Sequence, residues 1–203
     1  MDAALTLDQT PKAPLPHRGR GRGPARLVHV ETEAPIVLRS RSAAAPTLFA
    51  AGAQLNLVLG EGKTADLEIE PVGGGVLSGM ARFEAVAPTP ITDGLGPILR
   101  VPPGQSRLFS FTVPEKRAIG VGVRASVDIA TCRLLTGAGE EIGRGLVHMH
   151  TLAPGTYLLA VDVPADAVAV DIQPALVGLT PPGKGPPDDV KAQYIALTGG
   201  QQK

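Results

Sequence analysis

Only one cysteine, Cys132, occurs in a chain of 203 residues. No internal disulfide can form, so the fold depends on packing alone. Tryptophan is absent, and the aromatic residues are two tyrosines and four phenylalanines. The core must therefore be aliphatic, and an aromatic platform for stacking sugars or bases is missing. Charge of either sign is not in excess, because nineteen Lys and Arg balance nineteen Asp and Glu. That balance argues against a dedicated nucleic-acid binder, which carries a basic surplus for phosphates, and no nucleic-acid partner is expected. No stretch approaches the roughly 18 apolar residues of a membrane span, so none is expected. The segment from Met1 to Pro14 lacks the apolar core of a secretory signal. The expectation is a cytosolic chain, or an excerpt or mature form of a longer one.

Catalytic signatures are missing too. Ser78 and Ser106 are not set in a G-x-S-x-G elbow. Gly62-Lys63-Thr64 matches the end of a phosphate-binding loop, but Leu57 stands where that pattern needs glycine, and an alternating segment follows where it needs a helix. The alternation of Cys132 with Ala130 and Leu134 reads as an inward-facing small hydrophobe. A non-enzyme is the expectation.

What the chain has in quantity is glycine (25), proline (20) and period-two alternation. Phe109, Phe111 and Val113 alternate with Leu108, Ser110 and Thr112. Ile119, Val121 and Val123 alternate with Gly120, Gly122 and Arg124, and Tyr157, Leu159, Val161 and Val163 with Leu158, Ala160 and Asp162. One face of each such strand packs inward and the other meets water. Many short strands joined by Gly- and Pro-rich turns predict an all-β protein of two antiparallel, jelly-roll-like β-sandwiches. Residues 1–26, rich in Pro, Gly and Arg, read as an extended or disordered arm. The first sandwich spans 27–87, a linker marked by Pro88, Pro90 and Pro97 spans 88–97, and the second sandwich spans 98–179. Residues 180–203 read as a Pro/Gly spacer and a short C-terminal helix. Val190, Tyr194, Ile195 and Leu197 would form its apolar stripe.

Four sets of residues have a chemistry to offer. His148 and His150 lie two apart on a probable strand, so both imidazoles leave one face and can begin a metal site, with Asp128 or Asp162 as a third ligand. Asp66, Glu68 and Glu70 line one side of another strand, where they would hold calcium or form a solvated row that discourages edge pairing. Arg18, Arg20 and Arg22 offer cations to an acidic partner surface. Tyr194 and Ile195 offer an apolar docking surface, or else they close one end of the sandwich. Solvated or core roles are the ordinary alternative for each set.

Three segments of the second half carry a resemblance. RVPPGQSRLFSFTVP places a polar turn before an F-x-F-x-V strand. VDIATCRLLTGAGEEIGRG places an aspartate before a strand and a glycine turn, and LAPGTYLLAV ends in Y-x-L-x-V. In this order they resemble the bacterial pre-peptidase C-terminal domain family over residues 98–176. The resemblance implies a jelly-roll-like, non-catalytic domain of the kind appended to exported proteins, hence an extracytoplasmic location. The functional expectation is a structural or accessory interaction module that packs against protein partners, or forms a homo-oligomer, within a larger assembly. The alternative is a calcium- or carbohydrate-binding accessory module of an exported bacterial protein.

Overall fold

In the computed structural model, residues 3–7, 23–40, 47–63, 67–73, 79–127 and 130–180 are described. They are all-β, in three five-stranded sheets, with no helix among them. The expected C-terminal helix lies outside the described residues.

The first sheet comes from the first half of the chain. Its strands are β1 (Ala3–Leu7), β2 (Arg26–Ser40), β3 (Thr47–Leu59), β4 (Leu67–Pro71) and β5 (Gly79–Val86). The order is β1-β5-β2-β3, with β4 on the later part of β2. β2 is long enough to have two sets of neighbours. Leu27–Thr32 pair with β5, and Ile36–Ser40 pair with β4. A register shift between Glu31 and Ile36 separates the two stretches. Both contribute to one apolar cluster, Val30, Leu55 and Leu57 with Ile36, Leu38 and Ile69. Part of the arm is ordered by pairing, since Ala3–Leu7 lie antiparallel to β5 with Leu5 opposite Ala81. The described strands of this half thus belong to one hydrogen-bonded sheet.

The second half is a two-sheet sandwich. The middle sheet has the order β12 (Glu141–Arg144), β11 (Thr131–Thr136), β14 (Gly155–Asp162), β9 (Ser106–Val113), β6 (Thr89–Pro90). The outer sheet has the order β13 (Val147–Leu152), β10 (Arg117–Ala125), β15 (Val170–Val177), β7 (Gly94–Leu95), with β8 (Leu99–Val101) also on β15. The stretch expected to be a linker is built into this sandwich. Thr89–Pro90 pair with β9 and Gly94–Leu95 with β15, so the chain steps from one sheet to the other at the buried Ile91. Pro90 is tolerated because its strand is at an edge.

The alternating residues fill the space between these two sheets. Phe109, Phe111 and Val113, Ile119, Val121 and Val123, and Tyr157, Leu159 and Val161 form one cluster with Cys132, Leu134, Ile172 and Leu176. Phe111 and Tyr157 are strand partners with ring centroids 5.7 Å apart, and the Tyr157 hydroxyl donates to the Ala153 carbonyl at 3.0 Å. The burial of this offset pair adds to its area gain the preference of aromatic rings for such stacking.

The opposite row of the middle sheet departs from the expectation. Leu108, Leu158 and Ala160 do not meet water. They are buried with Leu135 against Ala25 and Leu27 of the first half, and Val58 packs on them. The middle sheet is covered on both faces, and its strands are apolar in both phases for that reason.

Candidate functional site

Three places combine exposure or unusual chemistry with definite geometry. The first is a cleft of about 390 Å³ where the first sheet meets the middle one, lined by Gln54, Asn56, Thr131, Arg133, Arg144 and Asp162 among others. Arg133 and Arg144 are strand partners, so their guanidinium groups leave the same side of the middle sheet. Asp162 accepts from Arg133 Nε and Nη2 at 3.2 and 3.0 Å, and from the Ser106 hydroxyl at 2.5 Å. Arg144 is paired with Glu141, and that hydrogen bond holds the Glu141 carboxyl below its ordinary range. Across the cleft, Asn56 donates to the Gly104 carbonyl at 2.8 Å and hydrogen-bonds His29 at 2.7 Å. Each charge here has its counter-charge, so the cleft is a neutral ion-pair network that ties strands together.

The second place is the histidine pair. His148 and His150 point inward from β13, and the rings stack at 27° with centroids 6.1 Å apart. His148 is 4% exposed. Burial, with the neighbouring His150 adding to it, pushes its pKa below the ordinary histidine value, while a hydrogen bond to the Gly145 backbone opposes the shift. Nε2 of His148 is buried with no hydrogen-bond partner. Asp162 does not join the pair. It shares the outward row of β14 with Leu158 and Ala160, across the middle sheet from the imidazoles, because strand alternation sends it the other way. Asp128 lies outside the described residues. Among the described residues no group of three or more His, Cys, Asp or Glu is placed to hold a metal.

The third place is the outer face of the outer sheet. Val147 and Met149 stand on β13, Gly120 and Gly122 on β10, Ala175 and Val177 on β15, and Leu95 on β7. The register sets Gly120 between Met149 and Val177, and Gly122 between Val147 and Ala175. A Cβ on Gly120 would stand 2.7 Å from both Met149 Sδ and Val177 Cγ2. Glycine there lets the two flanking side chains close over the strand into a continuous apolar surface. Val147 is 71% exposed, Met149 69%, Leu95 61% and Val177 57%.

The other expected site residues fall as follows. Glu68 and Glu70 lie in β4 opposite Arg39 and Val37 of β2. Asp66, Arg18, Arg20, Arg22, Tyr194 and Ile195 lie outside the described residues. Cys132 is fully buried, and burial pushes its thiol up to about 12, so it is inert as a nucleophile. The alternation of residues 119–123 predicts a water-facing row at Gly120 and Gly122 and does not reveal the apolar outer face. Its signal is present in VHMH, where the apolar Val147 and Met149 alternate with the two histidines.

No family model and no curated protein matches this chain. Solved structures are similar at low identity. A pre-peptidase C-terminal domain of a collagenase from Bacillus anthracis is 14% identical, covering 44% of this chain and 93% of its own, at a TM-score of 0.38. PliG from Aeromonas hydrophila, a periplasmic inhibitor of g-type lysozyme, is 17% identical over 44% of this chain and 95% of its own, at 0.30. A conserved protein of unknown function from Pseudomonas aeruginosa is 15% identical over 87% of this chain and 78% of its own, at 0.26.

Proposed function

We propose that the chain is a non-catalytic accessory module that packs against another protein through the outer face of its outer sheet, and that a second copy of the chain fits that face. The observation that carries the reading is the run of exposed Val147, Met149, Leu95 and Val177 around buried glycines. Contiguous apolar surface of this kind marks interaction sites on soluble proteins, whereas single exposed aliphatics do not. The charges on the face are gathered at one end. Arg124 is opposite Gln173, and Asp171 is paired with Arg100 at 3.7 Å. A two-fold stacking of two such faces sets apolar against apolar and leaves the charged end of each copy at a rim. Sheets stack in this way about 10 Å apart, and a two-fold contact uses one self-complementary patch twice.

Light scattering across a dilution series tests the proposal. The expected result is a dimer that dissociates on dilution, and the double variant Met149→Lys/Val177→Lys should stay monomeric and melt where the native chain melts once diluted to monomer. A wild-type chain that is monomeric up to its solubility limit would overturn self-association through this face. So would a dimer that survives the double variant.

A further inference from the structure

We propose that the edge where β12 lies over β13 is an acid-operated latch on the docking face: charging His148 and His150 parts the two strands and releases a second copy held on Val147 and Met149. The release rests on the docking reading of the outer face, whereas the parting of the strands stands without it. β13 serves both sides by alternation. His148, His150 and Leu152 turn inward, and Val147 and Met149 turn outward. Among the described residues, β13 pairs only with β10, setting His148 opposite Val121 and His150 opposite Ile119, and β12 pairs only with β11. β12 has four residues, and its register shifts between Leu134 and Leu135. Two singly paired edge strands therefore meet over the imidazoles, and such strands belong to the part of a fold that opens first.

The pair is placed where charge is costly. Its ring centroids are 6.1 Å apart, and Gly143 of β12 lies against both, since a Cβ there would stand 3.1 Å from His148 Nδ1 and 3.4 Å from His150 Nε2. An imidazolium carries a proton on each nitrogen. In His148 one of them must sit on Nε2, which is wholly buried with no hydrogen-bond partner. Among the described residues no counter-charge faces the ring. On β12, Glu141 and Arg144 are exposed and paired with each other at 3.1 Å. On β11, Arg133 is taken by Asp162 on the far side of the middle sheet, and the inward Cys132 keeps its proton because burial pushes its thiol up to about 12. β10 offers Ile119 and Val121, and β13 offers His150, a like charge. Burial first, and His150 second, favour the neutral ring of His148. The closed edge thus binds fewer protons than the parted one, so closure is firm above the ordinary histidine value of 6.5 and weakens as pH falls below it. The rings reach water when β13 peels from the sandwich. Val147 and Met149 go with it, and Gly120 and Gly122 have no side chain to offer in their place.

The test follows the full chain at pH 7 and pH 5 by backbone hydrogen exchange, corrected for the intrinsic effect of pH, and by light scattering across a dilution series. On acidification, protection at Val147–Leu152 should fall roughly tenfold or more while β9 and β14 keep theirs, and the dimer dissociation constant should rise by a similar factor. His148→Phe, which keeps a ring but cannot titrate, should lose both responses. Unchanged protection at β13 overturns the latch, and so does an equal loss in His148→Phe. Faster exchange at β13 with unchanged dimer affinity overturns its control of docking. A chain that is monomeric at both pH values overturns the docking reading itself, on which the exchange at β13 does not depend. Should His148→Phe fail to fold, NMR titration of the native imidazoles decides. The His148 ring should take its proton over the same pH range in which the β13 amides lose protection, and a ring that charges while β13 stays protected overturns the proposal.

Discussion

The middle sheet has one face against the outer sheet and one against the first half, and the two contacts are built differently. Against the outer sheet it presents Phe109, Leu134 and Leu159, all 0% exposed, in a cluster that draws on β8, β9, β10, β11, β13, β14 and β15. Against the first half it presents Leu108, Leu135, Leu158 and Ala160, met by Ala25, Leu27 and Val58. This second contact is smaller, and its edge is held by polar groups. Glu61 N donates to the Gly137 carbonyl at 2.7 Å, and Asn56 Nδ2 to the Gly104 carbonyl at 2.8 Å. One contact is a domain core. The other has the mixed apolar and polar make-up of an interface between two parts of a chain. The two should fail separately.

The largest effect is expected at the core. Leu159→Ala removes a fully buried side chain from the cluster between the two sheets, and a cavity of this sort costs about 2–5 kcal/mol. Chemical denaturation should show the whole second half unfolding at lower denaturant. If Leu159→Ala costs less than Leu158→Ala, the ranking of the two contacts is wrong.

The next effect separates the contacts. At Gly60 a Cβ would come within 2.0 Å of the Ala138 carbonyl carbon and 2.5 Å of Gly139 N, both backbone atoms that cannot swing aside. Gly60→Ala therefore forces the loop after β3 away from the β11–β12 turn, at about 1–3 kcal/mol by the usual cost of overpacking. Hydrogen exchange should quicken at Glu61 and Gly62 while β9 and β14 keep their protection. Uniform quickening throughout both halves would mean that the two contacts open as one unit.

These differences bear on what a reader of the sequence can see. Period-two alternation placed β9, β10, β14 and β15 correctly, because a half-buried strand writes its inward row directly in the residue types. It misplaced the second row of β14. Leu158 and Ala160 are apolar because another sheet lies over them, and alternation does not record what covers a second face. The prolines of residues 88–97 suggested a linker, whereas Thr89–Pro90 sit at a sheet edge, where proline's missing N–H costs nothing. The same-face placement of His148 and His150 was legible from their spacing. The burial of Nε2 was not, since it depends on β12 closing over the pair. The apolar outer face is hidden behind Gly120 and Gly122, whose small size serves Met149 and Val177 on strands far away in sequence.

A smaller effect should appear with pH at the rim of the core contact. His148 has a lowered pKa in the folded chain, so below the unfolded value of 6.5 the unfolded chain binds more protons than the folded one. Stability should be flat above that value and decline as pH falls from 6.5 towards the folded pKa, by about 1.4 kcal/mol for each unit between the two. His148→Phe should flatten this limb of the profile. A native profile unchanged between pH 7 and 5 would mean that His148 is solvated in solution.

The smallest effect belongs to the ion pair at the rim of the contact with the first half. Arg133 and Asp162 keep 27% and 29% of their side-chain surface in water, so solvent screens much of their attraction. Arg133→Ala should cost under about 1 kcal/mol, in the range of partly exposed pairs. Removing Asp162 is less benign, because the Ser106 hydroxyl, 2% exposed, then loses its acceptor while Arg133 loses its counter-charge. Asp162→Ala should therefore destabilise more than Arg133→Ala. The double variant should fall short of the sum of the two, since residues sharing one network do not add. A double-variant cycle read by thermal melting decides the point. Strict additivity would show that the cleft's charges act independently and that the contact with the first half relies on Leu27, Leu158 and the hydrogen bonds of Asn56 and Glu61 alone.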